Sequence, residues 1–496
     1  MQIIGHHVDG RRVDWPTERV GDVHDPSTGH LLRQVALAEA DDVDRVVRSA
    51  AAAQPAWAAQ NPQQRARVLR RFLALVEDEL DDLAALLSQE HGKTLEDARG
   101  DLRRGLDVVE FATGIPHLLK GEHTEGAGPE IDVWSVRQPL GVVAGITPFN
   151  FPAMIPLWKI GPALACGNAF VLKPSERDPS VPMRLAELFT EAGLPDGVLN
   201  VVNGDRVAVD ALLTHPLVRA VGFVGSTPVA EHVFTTATAH GKRAQCFGGA
   251  KNHAVVLPDA DLDVVVDALV GAGYGSAGER CMAVSVVVPV GAETADALVE
   301  RLPARVRALR VGPPTDDVDY GPLVSRAALD RVVAAVEAGV EEGATLVVDG
   351  RGLRVEGHED GWYLGGTLFD HVTPDMRLYR DEIFGPVLSI VRAETAEEAL
   401  ALPSDHEYGN GVAIFTRDGR AAREFASRVE VGMVGINVPI PVPVAYHTFG
   451  GWKRSGFGDL NQHGPDSIRF YTRTKTITSR WPATADGASF VIPTMS

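Results

Sequence analysis

Leu140-Gly141-Val142-Val143-Ala144-Gly145-Ile146-Thr147-Pro148-Phe149-Asn150 is an apolar run of strand length that stops at a proline and a carboxamide. An apolar helical segment at 153–166 follows, and then a second apolar run at 169–173. The alternation continues with a helix at 181–192, a strand at 198–202, a helix at 207–213, a strand at 220–224 and a helix at 227–236. Apolar strands separated by single helices predict a parallel, helix-covered sheet of the doubly wound kind. A second series of short apolar runs, at 253–257, 284–289, 345–349, 388–391 and 412–415, predicts a second α/β unit. Two such units suit 496 residues better than one oversized core.

Upstream, residues 41–112 read as helical. One helix opens at Asp41 and Asp42, places Val43, Val46, Val47 and Ala50 on one face, and is expected to end near Pro55. A longer one from Gln63 carries Val68, Leu69, Phe72, Leu75, Val76, Leu80 and Leu83 at helical spacing. A third sets Leu95, Ala98, Leu102, Leu106 and Val109 on a stripe, with Arg103 and Arg104 beside it. Downstream, 470–479 reads as a strand remote from either sheet in sequence, able to add to a neighbouring subunit.

Composition narrows the function. A hydrophobic fraction of 45% with 23% charged residues describes a soluble globular chain. Forty-seven basic against 66 acidic side chains give a net charge of -19, which argues against a nucleic-acid or anionic-membrane surface. Residues 153–172 are the most membrane-like, but Pro156, Lys159, Pro162 and Asn168 make them a buried helix, turn and strand. The start of the chain has neither a cationic opening nor a signal-length apolar run. Cys166, Cys246 and Cys281 are too scattered for a disulfide framework or a thiolate metal site, so no metal is expected and a reducing, cytoplasmic setting is.

Three places could carry chemistry. Cys281 follows Gly275-Ser276-Ala277-Gly278-Glu279-Arg280, small residues that let backbone approach a bound molecule, and Arg280 could lower its pKa. Composition alone favours a buried, inert cysteine, a reading that Cys166 fits well. Asn150, in Pro148-Phe149-Asn150-Phe151-Pro152, could donate to an oxyanion or simply serve the turn. Lys173-Pro174-Ser175-Glu176 stands at the carboxyl end of a strand, where doubly wound sheets bind ligands. Gly225-Ser226-Thr227 starts a helix that would suit a pyrophosphate, with Ser226 as a possible cap. Salt bridging and capping are the plain alternatives, and neither place carries a Gly-x-Gly-x-x-Gly fingerprint.

Together these stretches, with Glu382-Ile383-Phe384-Gly385-Pro386, resemble the aldehyde dehydrogenase superfamily, in the family's order over nearly the whole chain. Gly249-Ala250-Lys251-Asn252-His253, Gly278-Glu279-Arg280-Cys281-Met282-Ala283 and Gly435-Ile436-Asn437-Val438-Pro439 resemble its CoA-acylating methylmalonate-semialdehyde dehydrogenase branch. So do Phe449-Gly450-Gly451-Trp452-Lys453 and Phe470-Tyr471-Thr472-Arg473. The resemblance implies two Rossmann-like α/β domains and a small bridging β region. It sets an NAD-binding domain at 1–117 and 141–245, a catalytic domain at 246–440, and the bridging, oligomerising region at 118–140 and 460–482. A homotetramer is implied, a dimer being the alternative, and the pathway stays open among valine, pyrimidine, β-alanine and inositol breakdown.

The resemblance further implies Cys281 as nucleophile and Asn150 as oxyanion donor. Lys173 and Glu176 fall on the adenosine ribose, Ser226 near the pyrophosphate, and Glu382 with Phe384 at the nicotinamide ribose. Thr147, Phe149, Arg177 and Gly248 line the cleft, and Arg104 and Arg280 would clamp a substrate carboxylate. A carboxylate at 176 favours NAD over NADP. Hydrolytic members carry a Glu before a Leu-Gly-Gly stretch, where this chain has Gln245-Cys246-Phe247-Gly248-Gly249. Water needs a general base, whereas the CoA thiol, with a pKa of about 8.5, is already partly ionised, so a site without the base favours CoA as acceptor. The reaction expected is oxidative acylation of methylmalonate semialdehyde, and of malonate semialdehyde, with loss of CO₂. A hydrolytic dehydrogenase using Glu279 or Glu382 as base, and a silent scaffold with the same fold, are the alternatives.

Overall fold

The computed structural model describes residues 3–481, so Met1, Gln2 and Pro482, which the expected domain bounds include, lie outside the described residues. The first apolar series forms the centre of an eight-stranded sheet. In spatial order its parallel core runs Arg243–Phe247, Val218–Val224, Val142–Ile146, Ala169–Lys173 and Leu199–Val201. Antiparallel strands flank it, Gly456–Phe457 on one side and His6–Val8 with Arg11–Val13 on the other. The chain leaves Val142–Ile146 in one direction and returns on its other side at Val218–Val224. The order therefore reverses between these two strands, and such a switch opens a crevice at their carboxyl ends. Thr147 and Gly225 are the first residues beyond those ends.

The second series forms a seven-stranded sheet. Its order is Thr345–Val348, Thr367–Asp370, Val387–Ile390, Val284–Pro289, Asn252–Val256, Gly411–Phe415 and Met433–Ile436, parallel except for the first pair. Residues 248–251 lead directly from the end of the first sheet to the start of the second. The carboxyl rim of one sheet thus meets the amino rim of the other. Asn150, which follows a strand of the first unit, meets Glu279, which precedes a strand of the second, and Ala250 of the connecting segment meets Glu382. A smaller antiparallel sheet joins Thr472–Arg480, Ile131–Pro139 and His123–Gly128.

Local expectations fail where distant contacts decide. The first helix, Ala40–Ala59, runs through Pro55 instead of ending there. Its last turn is anchored by fully buried Trp57, whose indole N–H donates to the Leu164 carbonyl at 3.0 Å. The long helix from Gln63 is two, Pro62–Asp78 and Leu80–His91, broken at Glu79, whose carboxylate pairs with Arg184. Phe470 and Tyr471 close the helix Gly464–Tyr471, and the tail strand starts only at Thr472. Ser226 holds the N-cap position of Thr227–Ala239, but its side chain makes no capping hydrogen bond.

Candidate active site

The nucleophile candidate is held by unusual backbone. After the helix Leu262–Tyr274, Ser276, Ala277 and Gly278 take φ of 53°, 52° and 72°, three consecutive residues in the left-handed region. Only glycine occupies that region without steric cost. At Gly278 a side chain is also excluded by space, since a Cβ would lie 2.2 Å from the Gly385 carbonyl oxygen. Beyond the bend, the Cys281 carbonyl accepts from the Asn252 amide at 2.9 Å and the Asn410 amide at 3.0 Å. The nucleophile's main chain is therefore fixed before any ligand arrives.

Asn150 is 3% exposed, and its carboxamide Nδ2 donates to the Glu279 carbonyl at 3.0 Å. A carboxamide nitrogen carries two hydrogens. The bond to Glu279 spends one and sets the plane of the group, leaving the second N–H for an acceptor. Glu279 is fully buried. Its Oε2 accepts from the Val324 N–H at 3.1 Å, its Oε1 has no partner, and burial pushes its carboxyl up to about 8.

Cys281 is half-buried and faces two spaces. A narrow one is shared with Gly278, Asn252, Glu382 and Phe384. A wider cavity of about 430 Å³ is mostly apolar, with Phe151, Met154, Trp158, Met282, Val442 and Phe449 on its walls and Arg104 and Arg280 as its cations. These arginines differ in kind. Arg280 is paired with the Asp97 carboxylate. Arg104 only leans on the Pro443 and Val442 carbonyls, at 3.3 and 3.5 Å, and no carboxylate among the described residues pairs with it. The structure brings the two expected clamps into one cavity and neutralises one.

Arg280 pulls the Cys281 thiol down, as expected, but the pull is outweighed. Burial, and after it the Glu382 carboxylate, push the thiol up to about 12, against the backbone N–H groups of Cys281 and Met282 and the weaker pull of Arg280. Desolvation outweighs a cation whose charge is already answered by Asp97. No free base stands in the wider cavity, because its carboxylates are Asp97, tied to Arg280, and Asp101, tied to Lys93. Cys246 is fully buried in Arg243–Phe247, and burial pushes its thiol up to about 12.

The cofactor candidates gather along the switch-point crevice. Lys173 Nζ pairs with Glu176 Oε2 at 3.2 Å, the salt bridge that sequence alone left open. Burial works against the Glu176 charge, yet Lys173 and a backbone N–H hold its carboxyl below the usual range. Arg177 stacks 5.8 Å over the Phe149 ring, which meets Phe384 edge-on at 5.9 Å. Phe384 has a φ of 55°, a costly conformation for a bulky residue and a mark of functional constraint. Glu382 accepts from the Ala250 N–H at 3.0 Å, and burial pushes it up to about 7. At Gly248 a Cβ would lie 2.6 Å from the Arg454 carbonyl oxygen. Thr147 Oγ1 is buried with no partner among the described residues, and the exposed Ser226 hydroxyl makes no cap. Two uncommitted hydroxyls, a helix start and carboxylates at each end form a donor set that fits an extended dinucleotide.

Sequence reasoning missed Lys93 and Asp101, a fully buried ion pair at 3.1 Å beneath Asn150. A signal existed for one of them. Asp101 falls on the same helical face as Ala98 and Leu102, where a charge has no solvent to serve it.

The sequence profile of the aldehyde dehydrogenase family matches residues 15–477. The chain belongs to that family. Among similar proteins, the malonate-semialdehyde dehydrogenase of Pseudomonas aeruginosa is 57% identical, with 100% of each chain covered. Among solved structures, a Sinorhizobium meliloti 1021 protein, provisionally called a methylmalonate-semialdehyde dehydrogenase and complexed with NAD, matches at TM-score 0.97 and 64% identity. That match covers 98% of this chain and 99% of the other. The methylmalonate-semialdehyde dehydrogenase of Oceanimonas doudoroffii matches at TM-score 0.96 and 55% identity, again over 98% and 99%. As an aldehyde dehydrogenase family member, the chain carries Cys281 and Asn150 in the junction between its two sheets.

Proposed function

We propose that this aldehyde dehydrogenase is NAD-dependent and CoA-acylating, and converts methylmalonate semialdehyde, and malonate semialdehyde with it, to propanoyl-CoA and acetyl-CoA. The observation that carries this reading is the wider cavity, where an accessible sulfur shares apolar walls with the unpaired cation of Arg104 and with no free carboxylate. A short acyl chain ending in a carboxylate suits that space, and an enzyme needing to deprotonate water does not. The names of the similar proteins support the same substrate class.

In this mechanism Cys281 gives up its thiol proton to solvent, and Sγ attacks the aldehyde carbon as the thiolate. The free N–H of Asn150 and the Cys281 backbone N–H donate to the resulting oxyanion, donors of a kind worth about 3 kcal/mol each in the barrier. NAD, when bound along Lys173, Glu176, Ser226, Thr147 and Glu382, supplies the hydride acceptor. Arg104 holds the β-carboxylate until CO₂ leaves, and the same oxyanion donors stabilise the enolate that this releases. The thioester on Cys281 then passes to the CoA thiol, because both carboxylates of the wider cavity are already paired and neither is free to activate water.

The unit at 1–117 with 141–245 would hold NAD, although its eight-stranded sheet also takes Cys246, Phe247 and the strand Gly456–Phe457 from outside those bounds, and the unit at 246–440 would do the chemistry. The segments 118–140 and 460–482 would bridge subunits of a homotetramer. Thr472–Arg480 ends the order of its three-stranded sheet among the described residues, which supports that role. Three unbridged cysteines suit a reducing cytoplasm, and propanoyl-CoA output suits valine breakdown. The decisive experiment is NADH formation from methylmalonate semialdehyde with and without CoA, with products read by mass. Turnover that requires CoA and yields propanoyl-CoA is expected; CoA-independent release of a free acid would replace this reading with the hydrolytic one.

A further inference from the structure

The loop that presents Asn150 is held at both ends by one buried ion pair. Lys93 lies in the three-residue corner between the helices Leu80–His91 and Leu95–Thr113, and its side chain and that of Asp101 are both 0% exposed. Its ammonium donates to the Asn150 main-chain carbonyl at 2.7 Å and to Asp101 Oδ2 at 3.1 Å, and stands 4.4 Å over the Phe151 ring. Asp101 uses its other oxygen to accept from the Met154 N–H at 2.7 Å. That N–H opens the helix Met154–Ala165, whose N-cap residue, Ala153, has no side-chain acceptor to offer.

The staple is itself anchored. The corner turns at Gly92, φ 92°, where a Cβ would fall 2.9 Å from Pro322 and 3.2 Å from Pro26. The Lys93 carbonyl accepts from Ser88 Oγ at 2.7 Å. Asp101 reaches Met154 because its helix crosses Met154–Ala165 at Gly105, where a Cβ would lie 2.7 Å from Leu157. A lysine in water samples many rotamers, but this one is fixed from its backbone and by three partners at its tip.

We propose that the Lys93–Asp101 pair is the positioning device of the oxyanion site, setting where the Asn150 carboxamide stands relative to Cys281. Lys93 fixes the main chain of Asn150 while the Glu279 carbonyl fixes its side chain, so the remaining N–H has one direction. A fully buried ion pair is weak evidence for stability, because desolvating both charges offsets most of their attraction. Placement is a different matter, since a displacement of about 1 Å can cost about a hundredfold in rate.

The inference rests on Asn150 being the oxyanion donor, and the test separates the two ideas. Lys93→Met with Asp101→Asn removes both charges together and keeps an acceptor for the Met154 N–H. The readout is the first-turnover burst of NADH, alongside NAD affinity and the rate at which iodoacetamide alkylates Cys281. The expected result is a burst slowed by about 10- to 100-fold, near that of Asn150→Ala, with NAD affinity and alkylation unchanged. Adding Asn150→Ala to the pair variant should then slow the burst no further, because both changes remove the same interaction. A wild-type burst in the pair variant, or losses that multiply, would overturn the proposal while leaving Asn150 in its role. A wild-type burst in Asn150→Ala would overturn both. Should the pair variant not fold, Lys93→Arg carries the same test, since it keeps the charge beside Asp101 but puts a longer, planar fork where a compact ammonium met the Asn150 carbonyl and so displaces that carbonyl. A slowed burst that Asn150→Ala does not deepen supports the proposal, and a wild-type burst ends it.

Discussion

Replacing Arg104 by Met keeps most of the side chain's bulk in the wider cavity and removes the cation that no carboxylate answers. The guanidinium has only long contacts with the Pro443 and Val442 carbonyls to give up, so little of its hydrogen-bonding capacity is spent before substrate arrives. A hydrogen bond to a charged group contributes about 1.5–3 kcal/mol. At about 1.4 kcal/mol per factor of ten, kcat/KM for methylmalonate semialdehyde should fall by roughly 10- to 150-fold. Propanal has no carboxylate, and its kcat/KM should stay within about threefold of wild type, since it never engaged that charge. Arg280→Met makes the contrast. It leaves the Asp97 carboxylate unanswered on the cavity wall, where it repels an anionic substrate. Removing that charge as well, in Arg280→Met with Asp97→Ala, should therefore restore most of the semialdehyde rate. The assay is steady-state NADH formation with both aldehydes for each variant. Equal losses on propanal and the semialdehyde for Arg104→Met would refute the clamp. Failure of Asp97→Ala to rescue Arg280→Met would instead make Arg280 a direct partner of the substrate.

Alkylation of Cys281 in the ligand-free enzyme should speed up about tenfold per pH unit from pH 7 to 10 without levelling off, because its thiol is pushed up to about 12; a plateau near neutrality would refute the assigned environment. Glu279, with its carboxyl raised to about 8, binds a proton in the folded state that the unfolded chain releases near pH 4.3. Its contribution to stability is thus fully present below the unfolded value and is lost as pH rises toward 8. Glu279→Gln should flatten the fall of the thermal midpoint between about pH 5 and 8, and parallel curves would show that this group carries none of it. Gly278→Ala combines a left-handed φ of 72° with a Cβ placed 2.2 Å from a carbonyl oxygen, so a loss of at least about 2 kcal/mol is expected. Denaturant unfolding checks it, and a wild-type midpoint would contradict the geometry.

Both sheets were legible because buried parallel strands print continuous apolar runs, and 169–173 and 284–289 match their observed strands at both ends. The residues after 146, 173 and 224 were legible as strand ends, their cofactor roles came from the family resemblance, and the strand order that brings them into one crevice belongs to the structure. Other features depend on partners far away in sequence. Nothing local announces that Pro55 is carried inside a helix whose end is anchored by Trp57 against Leu164. Nothing beside Arg280 reveals that Asp97 claims its charge or that burial dominates at Cys281, and so the weight of its pull on the thiol was overestimated. Lys93 was invisible for the same reason, since its partners are Asp101, well inside the next helix, and a carbonyl at 150.

The bend before Cys281 also bears on how the molecule is made. Three left-handed residues in a row do not hold themselves, and Gly278 is seated by close packing against Gly385, well downstream in the chain. During synthesis the nucleophile emerges from the ribosome long before its support does. Until the later segment docks, position 281 belongs to an unassembled loop. Placement of the sulfur in this way depends on a segment made about a hundred residues later.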